Sequence, residues 1–169
     1  MSFKQDLKIG KQYEDEVVEL FNFKFKRPFR KVTKEDDPNL YKCLDIVEEG
    51  EGPLEKMITA ECKWSGEKHK DSKNVIVEYL TYDNKPSGIS SSLATYWVFK
   101  VGDFHLMVKR DELLKTIIFD LLHTESHSQI KSYERKGEKI LIVPKDLLTN
   151  EKLCPSTEVY PMKGIGRWF

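Results

Sequence analysis

Hydrophobic residues near the start of the chain recur at helical spacing and predict a helix over about residues 6–23. The apolar stripe consists of Tyr13, Val17, Val18, Leu20 and Phe21. At about 100° of rotation per residue, Glu14 falls inside this stripe, whereas Asp15 and Glu19 fall on the opposite side. An acid among core-facing residues needs a partner, because burying an unpaired charge is unfavourable.

Short apolar or alternating segments follow the helix and predict strands at residues 43–48, 56–63, 74–82, 96–101, 104–109 and 139–143. A turn rich in glycine, with Gly50 and Gly52, would join the first two strands in a hairpin. A short helix capped by Ser90, Ser91 or Ser92 is expected to run through Ala94.

A second amphipathic helix is predicted over residues 111–123, with one apolar face formed by Leu114, Ile117, Ile118 and Leu121. The order of helices and strands predicts an α/β (α+β) fold with a central mixed β-sheet flanked by helices. The 169 residues are expected to form a single domain, residues 1–169, with an irregular C-terminal tail from about residue 150.

The class of protein is narrowed mainly by what the sequence lacks. It contains neither the ~20-residue apolar stretch of a membrane helix nor an N-terminal signal peptide, so we expect a cytoplasmic protein without membrane partners. No glycine-rich nucleotide-binding loop is present, and we expect no organic cofactor. The three cysteines, Cys43, Cys62 and Cys154, have no metal-site spacing and are expected to be reduced thiols.

Charge is balanced over the whole chain but segregated along it. Lys plus Arg and Asp plus Glu number 28 each, so the total charge is no indication of a nucleic-acid partner. No acid occurs between Lys24 and Lys34, and the basic residues of this segment include Arg27, Arg30 and Lys31. A second basic cluster contains Lys68, Lys70 and Lys73. Such clusters can contact phosphates, although a solvated surface is the common alternative.

Alternation along the first two strands brings candidate catalytic side chains to one face. Asp45 lies on the opposite face from Leu44 and Ile46, and Glu61 and Lys63 lie on the opposite face from Ala60. If both aliphatic faces turn to the core, the hairpin places Asp45, Glu61 and Lys63 together on the other face, which we expect to be open. Adjacent carboxylates remain ionised together only with a cation between them, and oxygen ligands suit Mg²⁺ or Mn²⁺. With a lysine nearby, this set fits phosphodiester hydrolysis.

These residues resemble the PD-(D/E)XK nuclease superfamily, and in particular its phage and Holliday-junction-resolvase-like endonucleases. The matching segments are Gly10-x-x-x-Glu14, Leu44-Asp45-Ile46, Glu61-Cys62-Lys63 and Ser87-Gly88-Ile89. Leu44 stands where the superfamily signature has proline. The similarity covers about residues 10–101.

The resemblance implies a restriction-endonuclease-like core and a Mg²⁺- or Mn²⁺-dependent endonuclease that cleaves DNA, including branched DNA. Asp45, Glu61 and the Cys62 backbone carbonyl would bind the metal, Lys63 would act on the attacking water, and Glu14 would ligate a second metal directly or through water. Glu78 is a further candidate for this cluster. A homodimer would allow symmetric cutting of two strands.

Several alternatives remain open. The fold could serve a catalytically silent nucleic-acid-binding or regulatory module, or a small-molecule phosphohydrolase. Glu14 could form a structural salt bridge with Lys63. In the C-terminal segment, Arg167 could contact phosphate and Trp168 or Phe169 could stack on a base, but docking of the terminus onto the core is the favoured interpretation.

Overall fold

The computed structural model describes residues 3–64, 71–123, 128–135 and 137–162. Their helices are α1 (Phe3–Phe25), α2 (Pro38–Cys43), α3 (Arg110–His123) and α4 (Lys145–Leu148). Their strands are β1 (Phe29–Lys31), β2 (Ile46–Glu48), β3 (Thr59–Lys63), β4 (Asn74–Thr81), β5 (Tyr96–Val101), β6 (Phe104–Lys109), β7 (Lys131–Arg135), β8 (Glu138–Pro144) and β9 (Glu158–Pro161).

The main sheet has six strands in the order β1-β2-β3-β5-β6-β9. Strands β3 and β5 are parallel and the other neighbours are antiparallel, which confirms the expected mixed sheet within an α+β fold. The predicted hairpin is also confirmed, because β2 pairs with β3 with Ile46 opposite Ala60. Strand β9 extends the sheet beyond residue 150, where the sequence pattern predicted only irregular chain.

The third predicted strand belongs to a separate sheet. Strand β4 pairs with β8, and β8 pairs with β7, in a three-stranded antiparallel sheet. The strand itself was predicted correctly, but its sheet was not, because strand periodicity carries no information about the pairing partner. This second sheet matters for function because it brings Glu78 on β4 towards the hairpin.

Two apolar clusters cover the two faces of the main sheet. On one face α1 packs Val17, Leu20 and Phe21 against Ile46 and Ala60. On the other face a larger cluster joins the main sheet to the second sheet and α3, and its members include Val47, Trp97, Phe99, Val75, Val77, Leu113 and Ile117. The alternation of β2 and β3 led us to expect an open face opposite α1. This expectation is wrong, because the second sheet and α3 cover that face. The acids lie in a recess bounded by α1 and the two sheets.

The predicted strand at residues 43–48 is wrong in its first half. Asp37 caps the short helix α2, because its side chain accepts a hydrogen bond from the Asn39 N–H at 2.7 Å. Pro38 suits the first helical turn, where its missing N–H is not needed. Strand β2 therefore starts at Ile46, and Asp45 lies directly before it.

The buried face of α3 also differs from the predicted one. Ile118 and Leu121 are exposed, whereas Leu113, Thr116 and Asp120 are buried beside Ile117. Asp120 can be buried because its carboxylate accepts hydrogen bonds from Ser128 and from the Ile130 N–H. A pattern of apolar residues alone cannot identify a buried face that contains an acid with hydrogen-bond partners.

None of the helices in the described ranges has the length and apolar composition that a membrane span requires.

The expected short helix ending at Ala94 lies earlier, as a 3₁₀ turn at Gly88–Ser90. Ser92 instead contributes its hydroxyl to the buried structure, where it accepts hydrogen bonds from the Ala94 N–H and from the Trp97 indole. The predicted helix is therefore wrong, because Ser90 ends the 3₁₀ turn and no helix starts at Ser90, Ser91 or Ser92.

Burial of His105 on β6 makes stability depend on pH. The side chain is fully buried and stacks on Tyr13 of α1 at 5.5 Å between ring centroids. Its charged or titratable neighbours are Glu16 on α1, Lys100 on β5 and Tyr160 on β9. Burial, followed by repulsion from Lys100, lowers the pKa of His105 from 6.5 to about 4. Glu16 lies 3.9 Å from the imidazole Nε2, too far for a hydrogen bond that would offset the effect of burial.

We predict that His105 makes the wild type lose stability relative to a variant without this histidine as pH falls from about 6.5 to 4, because the unfolded chain then protonates His105 and the folded chain does not. The full loss from this group is about 3 kcal/mol, from about 1.4 kcal/mol per pKa unit. His105→Phe keeps the aromatic stack and removes the titration. Urea unfolding at a series of pH values should show the wild type losing stability relative to this variant as pH falls, and identical dependences for both proteins would contradict the prediction.

Candidate active site

The hairpin holds Asp45 against the middle of β3. The backbone N–H of Asp45 donates to the carbonyl of Ala60 at 3.0 Å. Its Oδ2 accepts a hydrogen bond from the Cys62 N–H at 2.6 Å. These contacts fix the Asp45 carboxylate beside Glu61 and Lys63. The alternation from which this placement was predicted does not hold at Asp45, because Asp45 lies before β2 and its neighbours Leu44 and Ile46 pack in different apolar clusters.

Glu61 and Lys63 form a close ion pair on the same face of β3. The Lys63 Nζ donates to Glu61 Oε1 at 2.5 Å, and the side chains of Lys63 and Glu61 are 28% and 12% exposed, respectively. The Lys63 ammonium also lies 5.2 Å from the centroid of the Trp97 ring. Lys63 is therefore held between a carboxylate and a core aromatic, rather than free on an open surface.

Glu14 faces the same recess from α1. Its side chain is half-buried, and burial followed by repulsion from Asp45 raises its pKa. Within the described ranges no ion pair joins Glu14 to Lys63, so the structural salt bridge considered for Glu14 is not formed. An acid on the apolar face of α1 is thus explained by its position beside Asp45.

Glu78 reaches the recess from the second sheet. It lines the same cavity as Glu14, Asp45 and Lys63, and its carboxylate accepts a hydrogen bond from the Ser87 hydroxyl. Gly88 has a left-handed φ of 49° and packs directly on the Glu78 backbone. The supporting role of Ser87 and Gly88 could not be derived from the sequence pattern, although both belong to the segment that carried part of the family resemblance.

Burial and mutual repulsion disfavour the charged forms of the central acids. Burial raises the pKa of Asp45, although Lys63 and the Cys62 N–H oppose the shift. Burial also raises the pKa of Glu61 to about 7, with repulsion from Asp45 and Glu78 adding to it and Lys63 opposing it. For Lys63 itself, burial lowers the pKa, but the nearby Glu61 carboxylate outweighs burial and the net shift is upward.

The donor set fits a hard divalent cation in its chemistry. The carboxylates of Asp45, Glu61, Glu14 and Glu78 supply only oxygen atoms, and a shared cation would relieve their repulsion. Among the described residues, no three His, Cys, Asp or Glu side chains are grouped as a ready metal site. One oxygen each of Asp45 and Glu61 is already engaged by Cys62 and Lys63.

Glu14, Asp45 and Glu78 line a cavity of about 1070 Å³, whereas Glu61 lies behind Lys63 and does not line it. Its walls come from α1, the segment after β1, α2, β3 and the second sheet. Charged residues on these walls include Lys11, Lys31 and Lys34 as well as the acids, and aromatic side chains include Tyr13, Tyr41 and Trp64. Cys62, the proposed source of a backbone ligand, also lines this cavity.

Several basic residues between positions 24 and 34 form ion pairs with acids that lie outside this segment. Arg27 pairs with Glu48 at 2.8 Å, and Arg30 pairs with Asp36 at 2.7 Å. Lys31 pairs with Asp15 at 2.5 Å, but it still lines the cavity. The side chains of Arg27 and Arg30 remain 59% and 45% exposed in these pairs, so their contact with phosphate stays a prediction.

The other basic candidates are less well defined by the structure. Lys73 is exposed just before β4, away from the cavity walls. Lys68, Lys70 and Arg167, together with Trp168 and Phe169, lie outside the described residues.

Comparison of the chain with protein-family models, curated proteins and solved structures found no match.

We predict that Gly88→Ala destabilises the protein by at least about 2 kcal/mol, since left-handed backbone alone costs a residue with a Cβ about 1–2 kcal/mol. The added Cβ would also overlap the carbonyl of Glu78. Gly50→Ala is the matched control, because an added Cβ at Gly50 meets nothing within 4 Å. Urea unfolding of both variants tests the prediction, and equal stabilities would show that Gly88 does not constrain Glu78.

Proposed function

We propose that the protein is a metal-dependent endodeoxyribonuclease of the PD-(D/E)XK type. The observation that carries the proposal is the convergence of Asp45, Glu61 and Lys63 in one recess, joined by Glu14 from the preceding helix. The mixed sheet supports it further, since the hairpin lies beside a parallel strand and under α1, which is compatible with a restriction-endonuclease-like core.

Each residue has a role that its position supports. The carboxylates of Asp45 and Glu61, with the Cys62 carbonyl, would hold Mg²⁺ or Mn²⁺, and Glu14 would extend the site towards a second ion. When bound, the metal would polarise the scissile phosphate and lower the pKa of a coordinated water. The Lys63 ammonium would orient the attacking water or stabilise negative charge on a phosphoryl oxygen. Glu78, held by Ser87, would orient Lys63 through charge.

DNA is the proposed partner, because phosphodiester hydrolysis accounts for acids, lysine and metal together. Cutting both strands of a duplex symmetrically would require a homodimer with two sites related by a two-fold axis. Sedimentation of the protein with and without DNA would measure this oligomeric state.

A second candidate is a nucleic-acid-binding module without catalysis. It is favoured by the Glu61–Lys63 ion pair, which satisfies two of the central groups without a metal. On this alternative the acids have a structural role, and DNA binding would be independent of divalent ions. Measurements of metal binding and of DNA cleavage distinguish the nuclease from the non-catalytic module.

We predict that the protein binds Mn²⁺ in calorimetry and that Asp45→Asn weakens binding at least ~10-fold, the lower end of the effect of removing a residue that supports a metal site. The amide keeps the shape of the side chain but removes its charge. Asp103→Asn is the matched control, because Asp103 is exposed in the turn between β5 and β6. Equal affinities for the wild type and Asp45→Asn would rule out the proposed carboxylate site.

We predict that the wild type cleaves DNA with Mg²⁺ or Mn²⁺ and that Lys63→Met lowers the rate ~100-fold or more, as expected for loss of a group that stabilises transition-state charge. Linear, single-stranded and four-way DNA should be tested with Mg²⁺, Mn²⁺ and Ca²⁺. Lys63→Met also removes the cation that pairs with Glu61, so its melting temperature must be measured.

Lys63→Arg keeps the positive charge beside Glu61 and therefore separates loss of folding from loss of catalysis. Lys115→Met, at an exposed position on α3, is the control for removing a lysine elsewhere. Near-normal cleavage by Lys63→Met would reject the role of Lys63. A wild type that binds DNA but cleaves none of the panel would favour the non-catalytic module.

A further inference from the structure

The cavity beside the acids has apolar and aromatic walls that metal chemistry does not require. Tyr41 on α2 and Leu7 on α1 line it while remaining 43% and 52% exposed, respectively. Trp64, directly after β3, lines the same space, but it is half-buried and the Lys100 ammonium lies 5.5 Å from its ring centroid. Exposed aromatic and apolar side chains around a recess suit a ligand with flat apolar faces of its own.

Two exposed lysines line the cavity wall, with Glu14 near Lys11 and Glu35 near Lys34. Unlike Lys31, neither Lys11 on α1 nor Lys34 after β1 has a carboxylate within ion-pair distance among the described residues. Both are exposed, so their ammonium groups are available to an anionic ligand. The cavity therefore combines aromatic walls with exposed lysines, beside acids that include Glu35 and Glu138.

Gly10 leaves an opening in the cavity wall one helical turn before Glu14. Glycine destabilises a helix interior relative to alanine, so its presence at this position calls for a reason. An added Cβ at Gly10 would meet no heavy atom within 4 Å, and packing within the described structure therefore does not require glycine. The free space at Gly10 faces the cavity, where a ligand could approach the backbone of α1 closely.

We propose that this cavity receives an unpaired strand of DNA, such as an end or a flap, rather than a continuous duplex. Bases in a duplex are stacked on each other, whereas unpaired bases can stack on the exposed ring of Tyr41 while Lys11 and Lys34 contact the phosphates. The recessed position of the acids agrees with this, because the side chain of Glu61 is only 12% exposed. The inference rests on the proposed nuclease function, whose substrate class it names.

Binding can be measured separately from cleavage by fluorescence anisotropy with Ca²⁺ in place of Mg²⁺, using gels to verify that the DNA stays intact. The probes are one oligonucleotide as a single strand, as a blunt duplex and as a duplex with a single-stranded flap. We expect the single strand and the flap to bind at least ~10-fold more tightly than the blunt duplex, since stacking of even one base changes affinity about that much.

Tyr41→Ala should weaken binding of the single strand ~10-fold and leave binding of the blunt duplex nearly unchanged. Tyr82→Ala is the matched control, because Tyr82 is 69% exposed and does not line the cavity. Replacing Lys11 and Lys34 by Ala should flatten the plot of log affinity against log salt by roughly 0.7 for each phosphate that the variant no longer neutralises. The control with the same charge change replaces Lys115 and Lys152, which are exposed elsewhere.

Gly10→Ala should raise the melting temperature, because alanine favours the helix and meets no neighbour. Gly10→Gln should fold as well as the wild type but bind the single strand more weakly, since the longer side chain enters the cavity. A structural role for Gly10 would instead lower the melting temperature of both variants.

The outcomes distinguish this inference from the proposed nuclease function. Equal affinity for single strand and blunt duplex, or unchanged binding by both Tyr41→Ala and Gly10→Gln, would overturn the inference even if the protein cleaves DNA. Preferential binding of the single strand that depends on these residues would uphold it even if no cleavage occurs, in which case only the nuclease proposal fails.

Discussion

The pairing of β2 with β3 is the constraint on which the candidate site depends. With Ile46 opposite Ala60, Asp45 falls beside Glu61, and the hydrogen bond from the Cys62 N–H to Asp45 holds the carboxylate there. A shift of one residue in this register would turn Glu61 and Lys63 towards α1 and would bring the apolar residues of β3 to the acidic recess. The apolar contacts of Ile46 and Ala60 with α1 oppose such a shift, so core packing also positions the acids.

The recess gives these acids their electrostatic character. On an exposed hairpin, solvent would screen Asp45 and Glu61 from each other, and neither pKa would shift far. The second sheet reduces solvent access and adds Glu78, so that the local concentration of negative charge rises while its hydration falls. Lys63 offsets only part of this charge. The structure thus contains an electrostatically unfavourable cluster of acids, which is the basis of the proposed metal site.

Charge elsewhere is arranged to restrict where an anionic ligand can bind. Arg27 and Arg30 are paired with Glu48 and Asp36, and Lys24 is paired with Glu158 of β9. The positive charge that remains beside the cavity is that of Lys11 and Lys34, close to the exposed aromatic ring of Tyr41. A protein with no net charge can therefore still present a localised positive edge next to its acids.

The sequence by itself determined the features that arise from periodicity: helix α1, the β2–β3 hairpin, and the shared face of Glu61 and Lys63. It also indicated Glu14, because an acid within an apolar helical stripe is visible without a structure. Only the tertiary structure decided that this face is covered, that Ser87 and Gly88 support Glu78, and that four residues of the basic segment form ion pairs with acids, namely Lys24, Arg27, Arg30 and Lys31. The physical reason is that side-chain direction follows from local backbone geometry, whereas sheet partners and ion pairs depend on contacts between distant residues, such as Lys24 and Glu158, which are 134 positions apart.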